Sequence, residues 1–340
     1  MVGAVVVRNG RIVGEGYHHR PGLAHAEVEA LERAGSKAQG ADLYVTLEPC
    51  HCFGRTGPCT ACILASGIRR VFVGTTDPNP HECGRGLQVL RQAGVTVIEG
   101  VLENQCQKLN EDYSLFIREG RPLVVLKAAT SLDGRIATAT GASQWLTGER
   151  ARREAHRLRA SANAVLVGAG TAAADDPELT VRHVRGPNPA VVVLDGRLSL
   201  SPQARLLHID RGAPVWVFCV APAHARRRRA LESAGASVVA LSATRGRERL
   251  DLKAVLRELF KRGIYRLLVE GGADVHGAFM SQRLVDRLEL FIAPLVLGSE
   301  GVPLVRWKGM GTPQKAPRLV DVSFRQLGND AHCSGRLCWP

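Results

Sequence analysis

The sequence contains no long apolar run. No stretch approaches the roughly 18 consecutive apolar residues that a membrane-spanning helix requires. The first residues, MVGAVVVRNG, also lack the basic region, apolar stretch and cleavage site that make up a secretory signal peptide. A cytoplasmic protein is therefore expected. Because the cytoplasm is reducing, structural disulfides are not expected, and the nine cysteines are better explained as metal ligands and core residues.

Aromatic side chains are scarce, at 5% of the 340 residues. The net charge is +13, but the first 120 residues are close to neutral and the excess of Lys and Arg lies in the remainder. A deaminase or binding module for nucleic-acid polymers would combine a basic patch at its site with aromatic rings that stack on bases. The composition disfavours that class, and small phosphorylated ligands are the partners expected for the basic half.

Neither a repeat nor a low-complexity linker is present, but the apolar pattern changes near residue 120. Strand and helix patterns alternate before it, starting with two β-branched runs around Asn9-Gly10, a pair favoured in tight hairpins. The segment QCQKLNEDYSLFIREGRP predicts one amphipathic helix ending at Gly120, and the strand LVVLKAA follows. Two closely joined α/β domains are therefore predicted, residues 1–120 with a mostly parallel sheet and residues 121–340.

Residues 46–62, TLEPCHCFGRTGPCTAC, concentrate candidate metal ligands. A catalytic zinc ion takes three protein ligands and keeps a fourth position for water. His25 begins a predicted helix, Cys50 ends a strand and Cys59 precedes the next helix, so these three are expected to bind Zn²⁺. Glu27 follows His25 at the spacing seen in zinc deaminases, where the glutamate carries protons and is not a ligand.

The same stretch leaves other assignments open. Cys62 lies one helical turn beyond Cys59 and is expected to be a core thiol, while Cys52 is an alternative ligand. A structural zinc knuckle or a set of buried thiols would use the same cysteines. The full set of His-x-Glu, Pro-Cys and a later Cys favours the catalytic site.

These residues belong to longer motifs that resemble one enzyme family, the bifunctional riboflavin-biosynthesis deaminase/reductases. The motifs of the first half are HAEVEAL, LYVTLEPC, GRTGPC, DPNP and GRGLQVLRQAGV. Those of the second half are LKAATSLDGRIAT, GASQWLTG, HRLRA, GAGTAAADDPELTVR and VEGG. The resemblance implies a cytidine-deaminase-like α/β/α domain followed by a dihydrofolate-reductase-like α/β domain. It also implies zinc-dependent deamination of a phosphoribosylated diaminopyrimidine and NADPH-dependent reduction of its ribosyl group to ribityl.

Two departures from the family pattern bear on the deaminase half. Family members carry a helix and an Asn-Pro pair before VGAV, so part of the pyrimidine pocket is expected to be missing and deamination to be weak. The stretch His51-Cys52-Phe53 stands where the family usually has Ser-His-His, which changes a loop near the substrate. A reductase with an impaired deaminase half is therefore the alternative function.

The second half contains two glycine turns after predicted strands, GAGTAAADDP and VEGGADVHGAF, and such turns let a backbone approach phosphate. The resemblance implies a cofactor site formed by Ala129, Trp145, Thr171, Asp175, Gly271, Gly272 and Ala273. It implies substrate contacts from Ser143, Arg159, Leu179, Arg182 and Glu270, with the two arginines suited to a phosphate. No step of the reaction is assigned to Lys127 or Asp133. A homo-oligomer is expected.

Overall fold

The computed structural model describes residues 2–20, 22–54, 56–242 and 249–340. It divides into two units, Met1–Gly120 and Arg121–Pro340. Within the described ranges, no helix is both long enough and apolar enough to cross a bilayer.

The first unit contains a five-stranded sheet in the order β2-β1-β3-β4-β5. Its strands are β1 (Gly3–Arg8), β2 (Arg11–Tyr17), β3 (Asp42–Val45), β4 (Arg70–Val73) and β5 (Thr96–Glu99). Its helices are α1 (Ala26–Ala34), α2 (Cys59–Ala65), α3 (Arg85–Gln92), α4 (Glu103–Leu109) and α5 (Glu111–Glu119), with a 3-10 turn at Gly35–Ala38.

The predicted hairpin is confirmed, and it changes the direction of the strands. Asn9 and Gly10 have φ values of 51° and 72°, the left-handed pair that a type I′ turn requires. β1 is antiparallel to both β2 and β3, while the β3–β4 and β4–β5 pairs are parallel. Four of the five strands run in the same direction, as the prediction of a mostly parallel sheet requires, and β1, which the hairpin reverses, is the exception.

Helices α1, α2 and α3 bury one face of this sheet. Their apolar side chains pack on β1, β3 and β4, and Ala30, Leu43, Ile63 and Leu87 are all nearly inaccessible to solvent. Strand β2 approaches α1 so closely that a Cβ on Gly14 would lie 2.1 Å from the Ala30 carbonyl oxygen. This contact, possible only without a side chain, fixes α1 and the residues at its start.

The opposite face of the sheet carries a groove of about 440 Å³. Tyr44 and Phe72 stack there with ring centroids 4.4 Å apart. The predicted single helix before Gly120 is broken into α4 and α5. The break lies at Asn110, which is buried and whose side-chain amide donates to the Cys106 carbonyl, a local bond that competes with helical geometry.

The second unit contains a nine-stranded sheet in the order β11-β10-β9-β8-β12-β6-β13-β16-β15 and a two-stranded sheet, β14-β7. The strands are β6 (Leu123–Thr130), β7 (Arg135–Ala137), β8 (Ala164–Gly168), β9 (Ala190–Leu194), β10 (Val215–Val220), β11 (Ser237–Leu241), β12 (Arg266–Val269), β13 (Arg287–Ile292), β14 (Val302–Pro303), β15 (Arg318–Leu327) and β16 (Asp330–Cys338). The helices are α6 (Glu149–Ser161), α7 (Ala169–Asp175), α8 (Arg205–His208), α9 (Ala225–Ser233), α10 (Leu252–Lys261) and α11 (Ala273–Ser281), with a 3-10 turn at Pro313–Lys315.

The first seven strands in this sheet order, from β11 across to β13, pair in parallel, and both faces of the sheet are buried. In β8, Val165 and Val167 face one core while Leu166 faces the other, as alternation along a strand requires. The long hairpin of β15 and β16 adds an antiparallel edge that sequence reasoning did not anticipate. The carboxyl ends of β6, β8 and β12 lie side by side, the position at which parallel α/β sheets bind ligands.

Candidate active sites

The three predicted zinc ligands of the first unit come together. His25 is the residue immediately before α1, Cys59 is the first residue of α2, and Cys50 follows β3. The Thr60 backbone N–H donates to the Cys50 carbonyl, and the Cys59 N–H donates to the Cys50 sulfur at 3.3 Å. These bonds hold the segment after β3 against the start of α2, so three residues distant in sequence form one cluster.

The spacing of the cluster fits a zinc ion. Nδ1 of His25 lies 3.1 Å from the Cys59 sulfur and 3.5 Å from the Cys50 sulfur. Tetrahedral Zn²⁺ with ordinary Zn–N and Zn–S bonds places such atoms about 3.6 Å apart. Cys59 is fully buried, and the three ligand atoms lie within 4.8 Å of one another. The donor set is therefore that of a three-ligand zinc site.

Hydrogen bonds within the cluster perturb its ionisation. The pKa of the Cys50 thiol is lowered to about 4, because Cys59 and His25 donate to its sulfur. The pKa of Cys59 is raised, because its proton is held in the bond to Cys50 and the side chain is buried. The bond to Cys50 also raises the pKa of His25. Two sulfur atoms thus share a proton at the position where a metal cation would let both ionise.

Glu27 lies in the first turn of α1, beside the cluster but outside the three-ligand group. Its side chain is 3% exposed, and burial raises its pKa to about 7. A carboxylate whose pKa lies near neutrality can both accept and return a proton at cellular pH. This is the property that a proton carrier requires.

Glu48 supports this site and was not anticipated from the sequence. Its buried carboxylate accepts the backbone N–H groups of Asp77 at 3.1 Å, Gly84 at 2.9 Å and Gly86 at 3.0 Å. It therefore holds the segments after β4 and before α3 beside the residues that precede Cys50. The signal was present in the motif LEPC, where an acidic residue lies three positions after a strand and is itself buried.

The two remaining cysteines of residues 46–62 lie in different environments. Cys62 is half-buried and packs on the core of the unit, outside the ligand group, as predicted. Cys52 is exposed and is not part of the group formed by His25, Cys50 and Cys59.

The second unit has a cavity of about 760 Å³ at the carboxyl ends of its parallel strands. Of the twelve residues expected there, all but Gly271 line it: Ala129, Ser143, Trp145, Arg159, Thr171, Asp175, Leu179, Arg182, Glu270, Gly272 and Ala273. Gly271 instead packs on β8, where a Cβ would lie 2.6 Å from the Val167 Cα. Its requirement for glycine comes from packing.

The floor of the cavity is a buried charge cluster. Arg159 donates from Nε and Nη2 to the two carboxylate oxygens of Glu270 at 3.0 Å and 2.9 Å, and Lys127 Nζ lies 3.8 Å from Glu270. Burial alone would raise the pKa of Glu270, but the charges of Arg159 and Lys127 outweigh it and lower the pKa to about 2. Lys127 also lines the cavity, and burial lowers the pKa of its ammonium group.

Helix α6 clamps the loop that carries Leu179 and Arg182. Arg159 donates to the Thr180 carbonyl at 2.6 Å, and one turn earlier His156 Nδ1 accepts the Arg182 backbone N–H at 3.1 Å. His156 is 6% exposed, and burial lowers its pKa to about 4, so it is a neutral acceptor. Its role was missed, although the i, i+3 spacing in HRLRA places both side chains on one face.

The glycine turn before α11 and the loop around Trp145 form other walls. Gly272 has φ 46°, and a Cβ there would lie 2.8 Å from the Thr171 hydroxyl oxygen. Ser143 donates to Asp175 at 3.0 Å. Trp145 is 67% exposed, with the Arg152 guanidinium 4.9 Å above its ring. An exposed aromatic face and a close-packed glycine turn fit a dinucleotide better than they fit a packed core.

Asp133 has a structural position. It accepts a hydrogen bond from the Ser131 hydroxyl and the backbone N–H groups of Leu297 and Gly298. The Ser131 bond is the main reason that its pKa is lowered to about 2. Asp133 therefore joins two loops and does not line the cavity.

A His-Cys-Cys cluster beside a buried glutamate defines the first unit as a zinc deaminase of the cytidine-deaminase class. The parallel sheet and its cavity define the second as a dihydrofolate-reductase-like α/β domain. Two family models match these units, the cytidine and deoxycytidylate deaminase zinc-binding region over residues 1–75 and the RibD C-terminal domain over residues 122–333.

Whole-length relatives agree. The chain is 43% identical to the riboflavin biosynthesis protein RibD of Bacillus amyloliquefaciens, over 97% of this chain and 88% of that protein. It is 45% identical to RibD of Aquifex aeolicus, over 97% and 90%. The Thermotoga maritima structure described as a diaminohydroxyphosphoribosylaminopyrimidine deaminase/5-amino-6-(5-phosphoribosylamino)uracil reductase superposes with a TM-score of 0.85 at 37% identity, over 99% and 92%.

The chain belongs to the RibD family of bifunctional riboflavin-biosynthesis enzymes, and it has deaminase and reductase activities. The alternative of a reductase beside an impaired deaminase concerned the pyrimidine pocket and not the zinc ligands. The deaminase zinc-binding region matches from residue 1, and His25, Cys50 and Cys59 form one group beside the buried Glu27. Weak deamination stays a prediction.

Proposed function

We propose that the first unit removes an amino group from diaminohydroxyphosphoribosylaminopyrimidine by hydrolysis. We propose further that the second unit uses NADPH to reduce the ribosyl chain of the deaminated product to a ribityl chain. The observation that carries the first step is the convergence of three zinc ligands beside a buried glutamate. The second step is supported by the cavity over the charge cluster of Lys127, Arg159 and Glu270.

In the deaminase unit, His25, Cys50 and Cys59 would hold one Zn²⁺. Zinc held there would act as a Lewis acid that lowers the pKa of water towards neutrality and so supplies the nucleophile. The carboxylate of Glu27 would accept the proton of the attacking water and pass it to the departing amine. Its burial and its pKa of about 7 suit both transfers.

In the reductase unit, we assign one set of cavity walls to the cofactor. Gly272 and Ala273 begin α11, whose free backbone N–H groups suit a phosphate, and Trp145 offers an exposed ring face. Ala129, Thr171 and Asp175 would complete the set, while Gly271 would hold the turn through packing. NADPH bound there would supply the hydride.

The substrate would occupy the walls formed by Ser143, Leu179, Arg182 and the buried pair of Arg159 and Glu270. Arg182 suits the phosphate best, because its side chain is 44% exposed and a phosphate can replace Glu178 as its ion-pair partner. Arg159 already binds Glu270 and Thr180, so we assign it to the shape of the pocket. The side chains of His156 and His183 also line this cavity and are polar.

The proposal is tested with the purified chain in two assays, ammonia release from the diaminopyrimidine and NADPH oxidation with the deaminated intermediate. Glu27→Gln should retain zinc, since it removes no ligand, and should lower ammonia release roughly 100- to 10,000-fold, since general acid–base catalysis contributes that much. NADPH oxidation should stay near wild type.

Glu32→Gln is the matched control, because Glu32 lies on the same helix and is exposed. It should retain both activities. Ammonia release that survives in Glu27→Gln would refute the proton-carrier role, and loss of both activities with the fold intact would refute two independent sites.

We also propose a homo-oligomer. Strand β15 lies at the edge of the large sheet and exposes 43% of Val322 and 74% of Phe324. Exposed strand edges with apolar side chains are suited to pairing between copies. Light scattering of the purified chain tests this point.

A further inference from the structure

Beside the zinc cluster lies a second group of ligand-type side chains, formed by His51, Cys52 and Glu82. His51 and Cys52 directly follow Cys50, and Glu82 lies in the turn before α3. Their ligand atoms lie within 4.8 Å of one another. The proposed deaminase chemistry uses none of the three.

The hydrogen bonds of this group fix the tautomer of His51. Oε2 of Glu82 lies 2.7 Å from His51 Nδ1 and accepts the His51 backbone N–H at 3.0 Å. Because the carboxylate accepts, Nδ1 carries the proton in the neutral ring and Nε2 keeps its lone pair. That bare nitrogen lies 3.2 Å from the Cys52 sulfur. A carboxylate behind a histidine is the usual arrangement around metal-binding imidazoles.

The Cys52 sulfur is close enough to His51 for both residues to reach one ion. It lies 3.2 Å from Nε2 and 3.8 Å from Nδ1, and therefore over the ring and not along the Nε2 lone pair. Cys52 is exposed, so a rotation of its side chain brings the sulfur to an ion held at Nε2.

We propose that His51 Nε2 and Cys52 Sγ bind a second divalent cation of the thiophilic class, Zn²⁺ or Cd²⁺, with Glu82 as the partner that orients His51. One thiolate and one carboxylate balance its charge. One imidazole and one thiolate select against Mg²⁺ and Ca²⁺, which prefer oxygen ligands. Cys52 is exposed, so water completes the coordination and the ion binds more weakly than in the buried cluster.

The site joins two segments through His51 and Glu82, whose hydrogen bonds link the residues after Cys50 to the turn before α3. The same loop carries Thr56, whose hydroxyl lies 3.4 Å from His25 Nε2. The second ion therefore lies next to the proposed catalytic cluster without sharing a ligand with it.

The test is equilibrium dialysis of the full-length protein against Cd²⁺ buffered by a chelator, with the bound metal measured by mass spectrometry. Wild type should bind two ions per chain in separate steps. Cys52→Ser should lose the weaker step and keep the tighter one, which also shows that the variant is folded. Glu82→Gln should weaken the second step roughly 10- to 100-fold, the usual effect of removing such a partner.

Cys83→Ser is the matched control, because Cys83 is also exposed and directly follows Glu82, yet is not in the group. It should retain both steps. A wild-type chain that binds one ion only, a second step that survives in Cys52→Ser, or one that is lost in Cys83→Ser would overturn the proposal. Failure of the tighter step alone would instead count against the proposed catalytic cluster.

Discussion

Glu270→Gln tests whether the buried charge cluster of the second unit stabilises the fold. The substitution keeps the shape of the side chain and removes its charge. Glu270 is only 10% exposed and accepts two hydrogen bonds from Arg159, with Lys127 3.8 Å away. The variant leaves two buried cations without their anion, so we expect a loss of stability.

The magnitude follows from the pKa of Glu270, which falls from its usual 4.5 to about 2 in the folded chain. A carboxyl group with a lowered pKa stabilises the fold above its unfolded pKa, and this stability is lost as the pH falls towards the folded pKa. The shift corresponds to about 3 kcal/mol at pH 7. The same relation leaves about 2 kcal/mol at pH 3.5. The gap between wild type and variant should therefore narrow as the pH falls from 5.

The measurement is urea unfolding of the full chain, followed by tryptophan fluorescence between pH 7 and pH 3.5. All four tryptophans lie in the second unit, so the signal reports on that unit. Glu149→Gln is the control, because its carboxylate is 71% exposed and pairs with Arg153 on the surface. We expect it to change stability by less than about 0.5 kcal/mol. A Glu270→Gln gap that is absent, or that stays constant with pH, would refute the reasoning.

Two further predictions concern ligand choice and loop positioning. Cys59→Ser should lose bound zinc together with ammonia release, whereas Cys62→Ser should retain both, and metal analysis with activity assays would expose the opposite pattern as an error in the ligand set. His156→Ala should raise the KM of the reductase for its pyrimidine substrate several-fold, because the Arg182 backbone N–H loses its acceptor. His156→Asn, which offers an amide oxygen, should recover part of that loss, and steady-state kinetics that fail to separate the two variants would contradict the positioning role.

Sequence patterns determine features that depend on a few neighbouring residues. Asn9-Gly10 specifies the first hairpin because both residues adopt positive φ, which other residue types rarely do. The zinc ligand set could be predicted because His25 and Cys59 lie at helix starts and Cys50 follows a strand, and such positions can be read from local pattern. The glycine turns of the second unit were visible for the same reason.

The apolar pattern along the sequence was less reliable for predicting where a helix is interrupted. The helix before Gly120 was predicted as one element, since its apolar residues keep a single periodicity. The buried Asn110 divides it, and only the packed structure shows that this residue points inward. The strands β15 and β16 were not predicted, because β15 is exposed along most of its length and lacks the alternation that marks a half-buried strand.

Only the tertiary structure decided how residues far apart in sequence are paired. Arg159 meets Glu270 across 111 positions, and this contact is the reason that we assign the arginine to the shape of the pocket. His51 meets Glu82 across 31 positions, a contact that no local pattern indicates. The physical reason is that composition and periodicity constrain each backbone segment and its buried face. Strand order and helix packing determine which side chains meet, and those depend on the whole chain.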